Sequence, residues 1–123
     1  KNVTLSTNDG DIEVENIATT NSISVDTNDG DIDITNLRAP NGKINTNDGD
    51  ININKLISKN GFKVNTDDGD IKVSNSSFTG YRLDTSDGDI KVKDSSSSST
   101  FIDNKNSSNV LIASTQDGDI KIK

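Results

Sequence analysis

The sequence predicts an all-β protein, a parallel β-solenoid of about six rungs with ~20 residues per rung. Three observations lead there. A hexapeptide, Thr-x-Asp-Gly-Asp-Ile, occurs six times, beginning at Thr7, Thr27, Thr46, Thr66, Thr85 and Thr115. Its glycines are Gly10, Gly30, Gly49, Gly69, Gly88 and Gly118, separated by 20, 19, 20, 19 and 30 residues. On both sides of each motif apolar residues alternate with polar ones at period two, as in a strand with one buried face, and no eleven-residue window carries helical periodicity.

The elements follow in order. The first copy places Val3, Leu5 and Thr7 on one face of a strand, then a turn at Asp9-Gly10, then Ile12 and Val14 on a second strand. The second copy repeats this with Ile23, Val25 and Thr27, then Ile32 and Ile34. The third has Ile44 and Thr46, then Ile51 and Ile53; the fourth Phe62, Val64 and Thr66, then Ile71 and Val73. The fifth has Tyr81, Leu83 and Thr85, then Ile90 and Val92; the sixth Leu111, Ala113 and Thr115, then Ile120 and Ile122. Residues 1–123 therefore read as a single domain. One interval breaks the period, an irregular loop insertion at 95–109 that opens on a run of serines. Phe101 and Ile102 inside it are expected to tuck onto the solenoid as a cover, or to present an apolar contact to a partner.

Two architectures fit this pattern. Asp-Gly between alternating strands is a hairpin signal, so six hairpins could form an antiparallel meander or sandwich. A solenoid instead stacks each residue on its counterpart ~4.8 Å away. Identity at Thr, Asp, Gly, Asp and Ile in all six copies favours stacking, because a meander does not require the same residue at the same place in every hairpin. Right-handed coiling is expected from the handedness of parallel crossovers. Solenoids need caps. Lys121 and Lys123 would blunt a terminal strand, while Lys1 lies almost directly on the first strand, leaving room for a neighbour there.

Composition limits the chemistry. The chain has no Cys, His, Met or Trp, which removes thiol catalysis, disulfides, Cys/His zinc sites and histidine acid–base mechanisms. Leu, Ile, Val and Phe together number only 30 of 123 residues, so the core must be thin. No apolar run reaches the length of a signal-peptide core or a membrane span, and the missing initiator Met suggests a processed or excised chain. Thirteen basic against twenty acidic residues give a net charge of −7, with only Arg38 and Arg82 as arginines. Neither nucleic acid nor an anionic membrane surface is an expected partner.

Stacking would line up twelve aspartates in two columns: Asp9, Asp29, Asp48, Asp68, Asp87 and Asp117, then Asp11, Asp31, Asp50, Asp70, Asp89 and Asp119. Like charges this close repel, so calcium must be weighed, and these twelve are the candidate ligands. The spacing does not match the EF-hand loop, because the position five residues before each Gly is apolar. A turn function explains the motif better: Asp offers Asx-type bonds, Gly positive φ, and Thr a hydroxyl for the turn backbone. Paired carboxylates can hydrolyse glycosides, but six equivalent copies suggest architecture rather than one catalytic pair. The outward position three residues after each Gly runs Glu13, Asp33, Asn52, Lys72, Lys91, Lys121. Two residues further on it runs Glu15, Thr35, Asn54, Ser74, Lys93, Lys123. If rungs stack, Lys72, Lys91, Lys93, Lys121 and Lys123 form a basic stripe. It would either compensate the aspartates or contact an anionic polymer or another rod.

The six Thr-x-Asp-Gly-Asp-Ile motifs between alternating strands, from Val3 to Ile122, resemble those of a bacterial adhesin-type domain of unknown function. The resemblance implies a β-solenoid fold, a place on the cell surface or in the envelope outside the cytoplasm, and no known catalytic residues. The expected function is a non-enzymatic adhesion-like or structural module that needs no cofactor, with a surface protein or an envelope glycopolymer as partner. A calcium-stabilised envelope domain is the alternative, and a polysaccharide-active β-helix enzyme comes third.

Overall fold

A computed structural model describes residues 2–93, 95–103 and 106–123. Its strands are β1 (Val3–Asp9), β2 (Ile12–Ala18), β3 (Ile23–Asp29), β4 (Ile32–Arg38), β5 (Gly42–Asn45), β6 (Ile51–Ile57) and β7 (Phe62–Asn65). They continue as β8 (Ile71–Ser76), β9 (Gly80–Asp87), β10 (Ile90–Val92), β11 (Ser95–Ser97), β12 (Thr100–Asp103), β13 (Val110–Asp117) and β14 (Ile120–Ile122). Among the described residues they build two seven-stranded sheets. The strand before each Asp-Gly-Asp turn joins the first sheet and the strand after it joins the second, so every motif crosses from one sheet to the other.

Pairing between rungs is parallel and places each residue on its counterpart: Val3 on Ile23, Leu5 on Val25, Ile12 on Ile32, Val14 on Ile34. The antiparallel meander is thereby excluded, and the chain folds as a parallel β-solenoid. Alternation sends Ile23, Val25, Ile44, Val64, Leu83 and Leu111 of the first sheet inward against Ile32, Ile51, Ile71, Ile90 and Ile120 of the second. Each of these is at most 1% exposed, so thirty large apolar residues suffice because the core is a single layer between two sheets.

The rungs do not stack in chain order. The first sheet runs β1-β3-β5-β7-β13-β9-β12 and the second β11-β10-β14-β8-β6-β4-β2. The sixth copy therefore lies between the fourth and the fifth. Its residues keep full register on both sides, Ile120 lying beside both Ile71 and Ile90, and Thr115 beside Thr85. This corrects the expectation that β14 is a terminal strand. Lys121 lies in the body of the sheet and Lys123 directly follows β14, its N–H bonded to Val73 O, so neither guards an edge.

The insertion explains the detour. Within 95–109, expected as irregular, β11 pairs antiparallel with β10 and β12 pairs antiparallel with β9. Ser99 accepts the backbone N–H of Thr85 at 2.8 Å. The chain thus completes the fifth rung, covers its free end in both sheets, and returns to fill the gap below. Asn104 and Lys105 of the insertion, like Lys1, lie outside the described residues. At the opposite end β1 and β2 each pair on one side only, and Val3, Leu5, Ile12 and Ile17 stay partly exposed.

A second local device turns the strands of the second sheet. Asn16, Asn36, Lys55 and Asn75, each six residues after a motif glycine, have left-handed φ of 55–68°. The step switches the inward parity, so Val14 and Ile17 both face the core, as do Ile34 and Leu37. Asparagine tolerates this conformation better than most residues, and Asn36 Nδ2 donates to Asn16 Oδ1 at 2.8 Å.

Candidate functional site

The edge carrying the six motifs was the first candidate, and its geometry shows what each motif residue does. The threonines at 27, 46, 66, 85 and 115 are buried at 1–3% exposure, and each hydroxyl donates to the glycine carbonyl of the neighbouring rung at 2.9–3.3 Å. The second aspartate of every rung but the fifth accepts, through Oδ1, the backbone N–H of the aspartate stacked on it. These bonds run from Asp31 to Asp11, Asp50 to Asp31, Asp70 to Asp50, Asp119 to Asp70 and Asp89 to Asp119, at 2.8–2.9 Å. Charge-assisted bonds of this kind are the stronger ones, and five of the six carboxylates are used in this way.

Glycine is required for a reason other than the expected one. Among the six motif glycines only Gly10 has a positive φ in the left-handed range. A Cβ on Gly49 would lie 2.1 Å from the carbonyl oxygen of Gly30, and the other stacked glycines meet the same obstacle at 2.0–2.2 Å. The column is glycine because successive turns pack backbone on backbone. Nor do Asx-type bonds close the turns among the described residues; Asp48 N–H, for example, bonds Asn28 O of the next rung.

The first aspartates also stack, in the order Asp9, Asp29, Asp48, Asp68, Asp117, Asp87. Asp68 titrates above the usual carboxylate range. Partial desolvation is the main cause, and the like charges of Asp117 and Asp48 add to it. Among the described residues no three carboxylates gather in a way that could hold a metal ion.

The outer face of the second sheet was the other candidate. In spatial order its column reads Glu13, Asp33, Asn52, Lys72, Lys121, Lys91, each directly beside the next. The gradient survives the changed rung order because the fifth and sixth copies both carry Lys here. Asn52 Nδ2 donates to Asp33 Oδ1 at 3.2 Å in the acidic half. Lys123 lies near Ser74, and Lys93 closes β10, its N–H bonded to Ile122 O. None of these five lysines forms an ion pair with a carboxylate within the described residues. Of the insertion's two apolar residues, Phe101 packs against the core while Ile102 is 51% exposed.

Three features escaped the sequence. The outer column of the first sheet brings Lys43, Lys63, Ile112, Arg82 and Ile102 side by side, a row that period-two alternation alone could have revealed once rung order was known. Asn109 bridges two turns, donating to Ser58 O and Ser77 O at 3.0 Å, while its buried Oδ1 has no partner among the described residues. Nothing in the spacing signals it. The left-handed asparagines were visible as recurrent Asn but could not be told from ordinary polar positions.

Among the described residues no helix is long and apolar enough to cross a membrane. No curated protein and no solved structure matches the chain. The family model of the Toastrack domain DUF4097 matches residues 1–123, an assignment in keeping with two parallel sheets of stacked rungs. The chain belongs to the Toastrack DUF4097 family, whose function is unknown.

Proposed function

We propose that the domain is a non-enzymatic binding module of the bacterial cell surface or envelope, adhesion-like in action, whose partner is a surface protein or an envelope glycopolymer. One observation carries this: the motif threonines, glycines and second aspartates meet their counterparts in rung-to-rung contacts, while the outward column of the second sheet changes from acidic through neutral to basic along the stack. A catalytic site needs a singular constellation in a cleft. Here the carboxylates repeat down the edge, and what varies is a graded sheet face held on a rigid frame, the arrangement of a docking surface.

The test is retention of the purified domain on bacterial envelope fragments, followed by sedimentation. Saturable retention that leaves the fragments chemically intact is expected. Absence of retention at any ionic strength, or release of sugar products, would refute the proposal. The module takes no cofactor, so its melting temperature should be the same in calcium and in chelator. A midpoint raised by calcium would instead place cations along the aspartate columns.

A further inference from the structure

We propose that the basic part of the second sheet binds a phosphodiester-linked polyol polymer laid along the solenoid axis across β6, β8, β14 and β10. This rests on the envelope-binding function above and names the ligand class. Lys72, Lys121 and Lys91 are direct cross-strand neighbours, ~4.8 Å apart. Like charges placed opposite one another destabilise a sheet, so folding alone would favour alternating signs. In the acidic half Asn52 donates to Asp33, whereas the lysines have no ion-pair partner among the described residues. The outward positions of β8, β14 and β10 carry Lys, Ser or Asn and no carboxylate, in a chain of net charge −7.

The ligand's chemistry follows from the residue types. The stripe holds lysines and no arginine, which suits point contacts to phosphate rather than a bidentate fork on carboxylates. None of the residues of the stripe or of its groove is an aromatic on which a base could stack. Over β6 and β8, meeting the stripe at Lys72 and Lys123, lies a groove of about 530 Å³ lined also by Asn52, Asn54 and Ser74, with Asp33 of β4 at its acidic end. Amide and hydroxyl groups there can bond the hydroxyls of a polyol while the lysines take the phosphates, and Asp33 repels the chain from the acidic half. That fixes which half is occupied.

The experiment is calorimetric titration with poly(glycerol phosphate), inorganic polyphosphate and polygalacturonate at two salt concentrations. It compares the wild type with Lys91→Ser/Lys121→Ser and with Lys43→Ser/Lys63→Ser on the opposite sheet. Poly(glycerol phosphate) should bind, weaken with salt, and lose ~30-fold in affinity only in the Lys91/Lys121 variant. Equal loss in both variants, polygalacturonate or polyphosphate binding as tightly, or no polymer binding at low salt would overturn the inference. Envelope fragments retaining the protein while the polymer does not would defeat this inference and leave the wider function standing; failure of both would defeat both.

Discussion

Along the motif edge every rung presents Thr, Gly and Asp to its neighbour in the same way; a few residues on, the same strands carry Glu13, Asp33, Asn52, Lys72, Lys121 and Lys91 on their outer face. At the edge, a residue is constrained by its counterpart above and below. Gly49 faces a carbonyl oxygen where a Cβ would sit, and Thr46 donates to Gly30 O at 3.1 Å. On the face, side chains point to solvent, and no backbone of a neighbouring rung dictates their identity. Identity therefore marks folding work, and variation marks freedom to bind.

That contrast can be broken most sharply at glycine. Gly49→Ala should cost at least ~3 kcal/mol, or prevent folding outright, because only a backbone shift relieves the clash; urea denaturation reads it. Next comes Thr46→Val, which keeps shape but strands the Gly30 carbonyl. It should cost ~1–3 kcal/mol, whereas Thr7→Val at the open first rung, where the hydroxyl has no acceptor among the described residues, should fall within ~0.5 kcal/mol of wild type. Equal effects at both threonines would show that the rung-to-rung bond is not what selects Thr.

Charge gives a smaller effect with a defined sign. Asp68 holds its proton more tightly in the folded chain than in the unfolded one, so its contribution favours the fold below the ordinary carboxylate value. It is lost as pH rises through the raised folded value. Asp68→Asn removes that loss: its denaturation midpoint should exceed the wild type's at neutral pH and converge with it in acid. A variant less stable at neutral pH would contradict the stacking of Asp48, Asp68 and Asp117. The smallest effect belongs to the face. Lys91→Ser/Lys121→Ser should leave stability within ~0.5 kcal/mol, or raise it slightly by removing repulsion.

The solenoid itself was legible because stacking imposes identity, and six matching hexapeptides with period-two flanks leave little else that fits. The rung order was not. The free edges of the fourth and fifth copies offer a returning strand the same columns, Ile71 and Val73 or Ile90 and Val92, so local pattern cannot choose between them. Only the length of the insertion hinted that the chain could cover one rung and double back. The lysine stripe was readable because the fifth and sixth rungs carry Lys alike. The role of glycine was misassigned because one sequence signal, Asp-Gly, serves both a positive-φ turn and a stack too close for a Cβ. Asn109 depends on a contact with Ser58, 51 residues away, which no local pattern encodes.

Cysteine cross-linking tests the stacking order most directly, since the chain has no cysteine of its own. In-register neighbours in a parallel sheet lie within the Cα separation a disulfide tolerates. Lys72→Cys/Lys121→Cys should oxidise rapidly to an intramolecular disulfide, and Lys72→Cys/Lys91→Cys, separated by the intervening strand β14, should not. The reverse result, with the second pair linking and the first staying reduced, would show that the rungs follow chain order.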